Sequence, residues 1–169
     1  MFCIIALLVF FKNIYAFPEG RCYVNECNAS PYSLAWISDS CFIIQNQPCD
    51  PNYQYNCCEI FDSLLHKIDI SSNAICNTSV ISVSVNNTIK PGGVSFAIEN
   101  ITDPNSIAEL RISSLSMTNI TAADTIICIN LRPPCDTMSV FNSPLYKYAI
   151  FDAGQHLCCP TCDFECACN

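Results

Sequence analysis

Cysteine is the residue type with most chemical capacity in this chain. Five of them, Cys158, Cys159, Cys162, Cys166 and Cys168, crowd one short stretch close to His156. Thiolates at such spacing suit either a tetrahedral zinc centre or a set of disulfides. Zinc sites usually present two close pairs separated by a loop. Here the residues are packed together and partly vicinal, so disulfides are the better expectation. The chain has fifteen cysteines in all. Cys3 lies in an apolar leader, and the other fourteen are Cys22, Cys27, Cys41, Cys49, Cys57, Cys58, Cys76, Cys128, Cys135 and the five above. An even number in an oxidising compartment allows up to seven bridges.

Backbone geometry limits which pairs can form. Adjacent Cα atoms stand about 3.8 Å apart, below the roughly 4.4–6.8 Å usual across a disulfide. Cys57 and Cys58 must therefore bond different partners, as must Cys158 and Cys159. Each vicinal pair becomes a node that fastens two separate segments. The connectivity itself stays open at this level.

The leader supplies the compartment. Phe2 to Phe11 is an apolar run, followed by Lys12 and closing on Ala16. About ten apolar residues match the core of a signal peptide and fall short of the roughly 20 that span a bilayer. We read residues 1–16 as a signal peptide and 17–169 as one domain, with no stable membrane insertion after cleavage. An uncleaved anchor is the competing reading. Five acceptor triplets for N-linked glycans follow, at Asn28, Asn77, Asn86, Asn100 and Asn119, and five together point to a secreted glycoprotein. The formal net charge is −8 with no basic cluster, which argues against phosphate-mediated binding of nucleic acid.

Other chemistry is sparsely represented. His66 and His156 are the two histidines, and neither sits in a nucleophile or metal motif. There is no G-x-S-x-G elbow, no H-E-x-x-H helix and no glycine-rich phosphate loop. Asp50, Asp103 and Asp136 lie in turns, where capping is the simpler role than calcium binding. The expectation is no enzyme, no metal and no cofactor. A glycan-acting enzyme would need two carboxylates about 5–10 Å apart in an open cleft.

The elements that must position these residues read as strands. Ile81, Val83 and Val85 alternate with Ser82 and Ser84, with Asn86 in phase with the serines, the period of a half-buried strand. Val94, Phe96 and Ile98 alternate after Pro91-Gly92-Gly93, a turn signal. Leu110 and Ile112 begin a run whose phase has slipped by Leu115 and Met117, which predicts a bulge near Ser113-Ser114. Thr125 to Leu131 puts Ile127, Ile129 and Leu131 on one face and Cys128 on the other, placed to tie its strand to a neighbour. Tyr32–Ile37, Cys41–Gln45, Lys67–Ser71 and Tyr146–Phe151 are shorter strands, and Glu59–Leu65 is the one helix expected. The fold class is all-β, a disulfide-stapled sandwich-like single domain with one short helix.

An ordered set of local motifs carries a resemblance. It runs through Ser30-Pro31-Tyr32, Cys41-Phe42, Cys49 leading to Cys57-Cys58, and His66-Lys67-Ile68. It continues through Cys76, Ile127-Cys128-Ile129, Pro134-Cys135-Asp136-Thr137, Tyr148-Ala149-Ile150-Phe151 and Cys158-Cys159-Pro160. This framework resembles the pherophorin domain of extracellular-matrix glycoproteins in volvocine green algae. The resemblance implies a secreted matrix or cell-wall protein without catalysis, whose partners are extracellular-matrix glycans or glycoproteins. A diffusible signal built on the same domain is the alternative. Two cysteines usual in such domains are replaced near Phe141 and Lys147, as the loss of one bridge would do. Cys22 and Cys27 are also more widely spaced than the family pattern, and no polyproline rod is present.

Overall fold

The computed structural model describes residues 17, 22–98, 103, 106–143, 145–152 and 157–164. The leader at 1–16, Asn100, His156, Cys166 and Cys168 lie outside them. Ten strands form two antiparallel sheets among the described residues. The first sheet contains β1 (Tyr32–Ser38), β2 (Cys41–Asn46), β4 (Val80–Val85), β5 (Thr88–Ile89) and β8 (Ile126–Leu131), in the order β1-β2-β8-β4-β5. The second contains β3 (Leu65–Asn73), β6 (Val94–Ile98), β7 (Ile107–Ile112), β9 (Lys147–Asp152) and β10 (Thr161–Asp163), in the order β10-β9-β3-β7-β6. Short helices α1 (Cys57–Ser63), α2 (Asn119–Ala122) and α3 (Met138–Phe141) connect them. The chain is thus all-β, stapled by disulfides.

Alternation explains the layering. Leu34, Phe42, Ile44, Val83, Ile127 and Ile129 from the first sheet meet Ile68, Ile70, Leu110, Ile112, Tyr148 and Ile150 from the second in one buried core. Fully burying such a side chain is worth about 1.5–3 kcal/mol. The two sheets meet along one side through aromatic rings. Trp36 and Phe164 have centroids 4.5 Å apart, and Tyr148 lies 4.7 Å from Phe164. The Leu34 amide, on edge strand β1, donates to the Tyr148 hydroxyl at 3.0 Å. That contact satisfies a backbone donor that an open edge would leave free.

Several strand expectations shift in detail. β4 has its irregular step between Val80 and Ser82 in the pairing with β8. Ile81 is consequently 56% exposed, while Val80 packs against the core with Val83 and Val85. The expected inward Ile81 is therefore corrected by one bulge. Asn86 is not a strand residue: with Asn87 it takes positive φ in the turn between β4 and β5, the conformation a tight hairpin needs. The helix starts and ends two residues earlier than expected, because Asn56 adopts a left-handed conformation and Leu64 is already extended. The Asn56 side-chain amide donates to Glu59 at 2.9 Å, holding the first turn. Leu65 accordingly belongs to β3.

The slip after Ile112 is real, but it ends the strand rather than bulging it. Ser114 and Ser116 both have positive φ, and Met117 rejoins the sheet as an isolated bridge to Leu65. Gly93 takes part in the same junction. Its carbonyl accepts from the Ser113 amide, its φ is +72°, and a Cβ there would stand 2.5 Å from the Ser113 carbonyl oxygen. Both features exclude a side chain. We predict that Gly93→Ala destabilises the fold by about 1–3 kcal/mol, whereas Gly92→Ala, with open space around its Cα, changes stability little. Urea unfolding of the two variants checks this.

Candidate functional site

Six disulfides lie among the described residues: Cys22–Cys159, Cys27–Cys162, Cys41–Cys128, Cys49–Cys58, Cys57–Cys158 and Cys76–Cys135. The vicinal pairs divide as backbone geometry requires. Cys57 reaches the C-terminal segment and Cys58 closes a local loop to Cys49, while Cys158 and Cys159 bond α1 and the N-terminal segment separately. Three bridges thus tie Cys22, Cys27 and Cys57 to the stretch that carries β10. Cys128 bonds Cys41, its direct register partner on β2, as its outward phase on β8 foretold.

The positions read as a lost bridge have been put to other uses. Phe141 is fully buried, edge-on to Phe96 at 6.0 Å. Lys147 begins β9, and its ammonium lies 3.4 Å from the Asp163 carboxylate.

The four described acceptor asparagines are all exposed and stand off the sheet faces. Asn28 lies in the 3-10 turn before β1, Asn86 in the β4–β5 turn and Asn119 at the start of α2. These three cluster at the end of the sandwich where β1 and β8 begin. Asn77 lies at the opposite end, between β3 and β4. The Asn28 carbonyl oxygen Oδ1 accepts from the Tyr53 hydroxyl, and Asn86 Oδ1 accepts from the Ile126 amide. An N-linked glycan attaches at Nδ2, so both bonds can persist in a modified side chain. At Asn119 the triplet's own Thr121 completes a capping box with Thr118. An open depression lined by Pro31, Asn46, Gln47, Asp62 and Ile120 adjoins Asn119.

The outward faces of the two sheets differ in charge. On the second sheet, Lys67, Asp69, Glu109 and Arg111 share one face, with Asp69 directly opposite Arg111 across the β3–β7 ladder. Asp69 is fully buried and Glu109 nearly so. The Lys67 ammonium bonds Asp69 Oδ2 at 2.7 Å and lies 3.6 Å from the centre of the Phe151 ring. Arg111 bonds Glu109 at 2.9 Å. Phe17, Cys22 and Cys159 pack over Ala149 and Phe151 on this same face. The composition of the chain gave no sign of this cluster. Its one trace was Lys67 and Asp69 at strand period, with Glu109 and Arg111 matching them. The two carboxylates are closed from solvent, and each engages a cation rather than an open cleft.

Of the turn aspartates, Asp50 Oδ1 accepts from both the backbone and side-chain amides of Asn52, the capping role expected of it. Ser106 closes a turn onto the Asp103 carbonyl. His66 lies at the second position of β3, half-buried, and its carbonyl accepts from the Leu115 amide.

Burial pushes the Asp69 carboxyl up to about 6, against the lowering pull of Lys67. A folded-state value above the unfolded one, 3.8, means that the folded chain holds the proton more tightly. The associated stability is present below the unfolded value and is lost as pH rises through about 6, a change of about 3 kcal/mol. We predict that wild-type stability falls between pH 4 and pH 7 relative to Asp69→Asn, which cannot titrate there. Urea midpoints at both pH values measure the gap, and a pH-independent difference would contradict the assignment.

No curated protein and no solved structure matches this sequence. The pherophorin family profile matches residues 17–160, a span that takes in the core of both sheets and all the bonded cysteines but Cys162, with both partners of Cys57 and Cys58. By that match, the chain belongs to the pherophorin family.

Proposed function

We propose that the protein is a secreted glycoprotein of the extracellular matrix or cell wall, acting by structure and recognition rather than by catalysis. The observation that carries this reading is the covalent belt in a pherophorin-family domain. Six disulfides persist only where thiols are oxidised, and three of them fasten the C-terminal segment, two to the N-terminal segment and one to α1. Exposed acceptor asparagines in turns and helices at the ends of the sandwich support glycosylation that leaves the sheets themselves unmodified. The partners are matrix glycans or other glycoproteins. Buried, paired carboxylates support a non-catalytic role.

Cell fractionation tests the assignment. Recovery in the isolated matrix is expected, and recovery solely from the medium would replace the structural role with that of a diffusible ligand. Mass spectrometry of the recovered protein adds a second readout. Each bridge takes up two hydrogens on reduction, and deglycosylation counts the occupied asparagines. Thr88→Ala should remove one glycan while leaving the Asn86 bond to Ile126 in place. Free thiols at the bonded cysteines of the native protein would overturn the oxidising-compartment reading.

A further inference from the structure

Ile120 is the most exposed large apolar side chain among the described residues, 87% accessible. It follows Asn119, an acceptor asparagine whose triplet is completed by Thr121. Both line an open depression of about 340 Å³. The β1–β2 ladder ends there, with Tyr32 opposite Asn46, and α1 packs beside α2 to supply Asp62 and Ile120. Ile120 and Pro31 form the apolar part of the lining. The polar part is rich in acceptors. Asp62 brings a carboxylate and Asn46 a side-chain amide, both exposed. Gln47 donates its amide nitrogen to the Cys27 and Ser30 carbonyls at 3.1 and 2.9 Å. Those bonds fix the side chain and leave its amide oxygen to accept. No cation lines the depression.

On the glycoprotein reading proposed above, on which this rests, we infer that the depression seats the first sugar of a glycan carried by Asn119. The occupant follows from the point of attachment. Asn119 is part of the wall, so a sugar joined to its Nδ2 starts at the rim. A tether of so few bonds holds the sugar at an effective concentration on the order of millimolar. Modest contacts then suffice to seat it. The chemistry matches as well. N-acetylglucosamine, the sugar bonded to asparagine in N-linked glycans, is neutral, and its hydroxyl and amide donors suit Asp62, Asn46 and Gln47. Its ring C–H groups can cover Ile120 and remove that apolar surface from water. An anionic ligand would meet Asp62 with no compensating cation, and a free sugar would lack the tether. The volume stands at the low end of the about 300–1,000 Å³ of small-ligand sites, which suits one ring rather than a branched chain.

Digestion of the native secreted glycoprotein tests the seat, using a peptide N-glycanase that cuts at asparagine and mass spectrometry of each glycopeptide. A seat filled about nine-tenths of the time slows release about tenfold. The Asn119 glycan should leave more slowly by that factor than the Asn86 glycan, on the exposed β4–β5 turn. Unfolding and reduction should abolish the difference. Ile120→Ala and Asp62→Ala, both at exposed positions, should each speed release at Asn119 severalfold and leave Asn86 unchanged. Equal release from the two sites of the wild type would overturn the seat. So would slow release that neither variant speeds, because the obstruction would then lie in the local chain and not in the depression. An unmodified Asn119 beside a glycosylated Asn86 would overturn the seat alone. A secreted protein without glycans at any acceptor would overturn the glycoprotein reading with it.

Discussion

The C-terminal segment is a weak element held by strong bonds, and the architecture depends on it. β10 is only three residues long, too short to hold itself against the sheet by hydrogen bonds alone. Cys158, Cys159 and Cys162 join this stretch to Cys57, Cys22 and Cys27. Each such bridge stabilises by about 2–4 kcal/mol, chiefly by restricting the unfolded chain. With the segment in place, Phe164 fills the seam between the sheets, against Trp36 and Tyr148. The Tyr148 hydroxyl can then receive the Leu34 amide and close the edge of β1. The same bonds bring Cys22 against Phe151, over whose ring the Lys67 ammonium lies.

The two outward faces show how a sandwich can distribute polarity unevenly. One face keeps two acids and two bases in adjacent pairs, where low dielectric strengthens their pairing but makes each desolvation costly. Asp69 retains an oxygen without a hydrogen-bond partner, which fits a carboxyl whose affinity for a proton is raised. The other face has no charge to desolvate. Its rungs carry Ala35, Ile43 and Ile126 beside Cys41, Cys128 and Ser84.

Much of the β layer was legible from alternation. Val83, Ile127 and Ile129 point inward as their spacing implies, and Cys128 points outward to a neighbouring strand. Reading failed where a local irregularity changed the phase. At β4, one bulge moved Ile81 outward and Val80 inward, and hydropathy cannot distinguish two adjacent β-branched residues. Asn86 matched the serine phase, yet its positive φ placed it in a turn. The helix began earlier because Asn56 supplied a left-handed entry and a bond to Glu59, a capping signal weaker than the apolar pattern beside it. The uncharged sheet face was hidden for a different reason. Its members, Ala35, Ile43, Ile126 and Ser84, are scattered along the chain, and only register brings them together.

The cysteines separate what each level of organisation decides. By itself the sequence determined the oxidised state expected of them, the all-β framework around them and the rule that neighbours cannot bond each other. That rule is local, because it follows from the spacing of consecutive Cα atoms. The partners are a non-local matter. Cys22 finds Cys159 across 137 residues, while Cys49 finds Cys58 across 9, so chain distance carries no guide to pairing. Only the tertiary structure chose among the possibilities, since a disulfide forms where folding brings two backbones within the reach of two side chains.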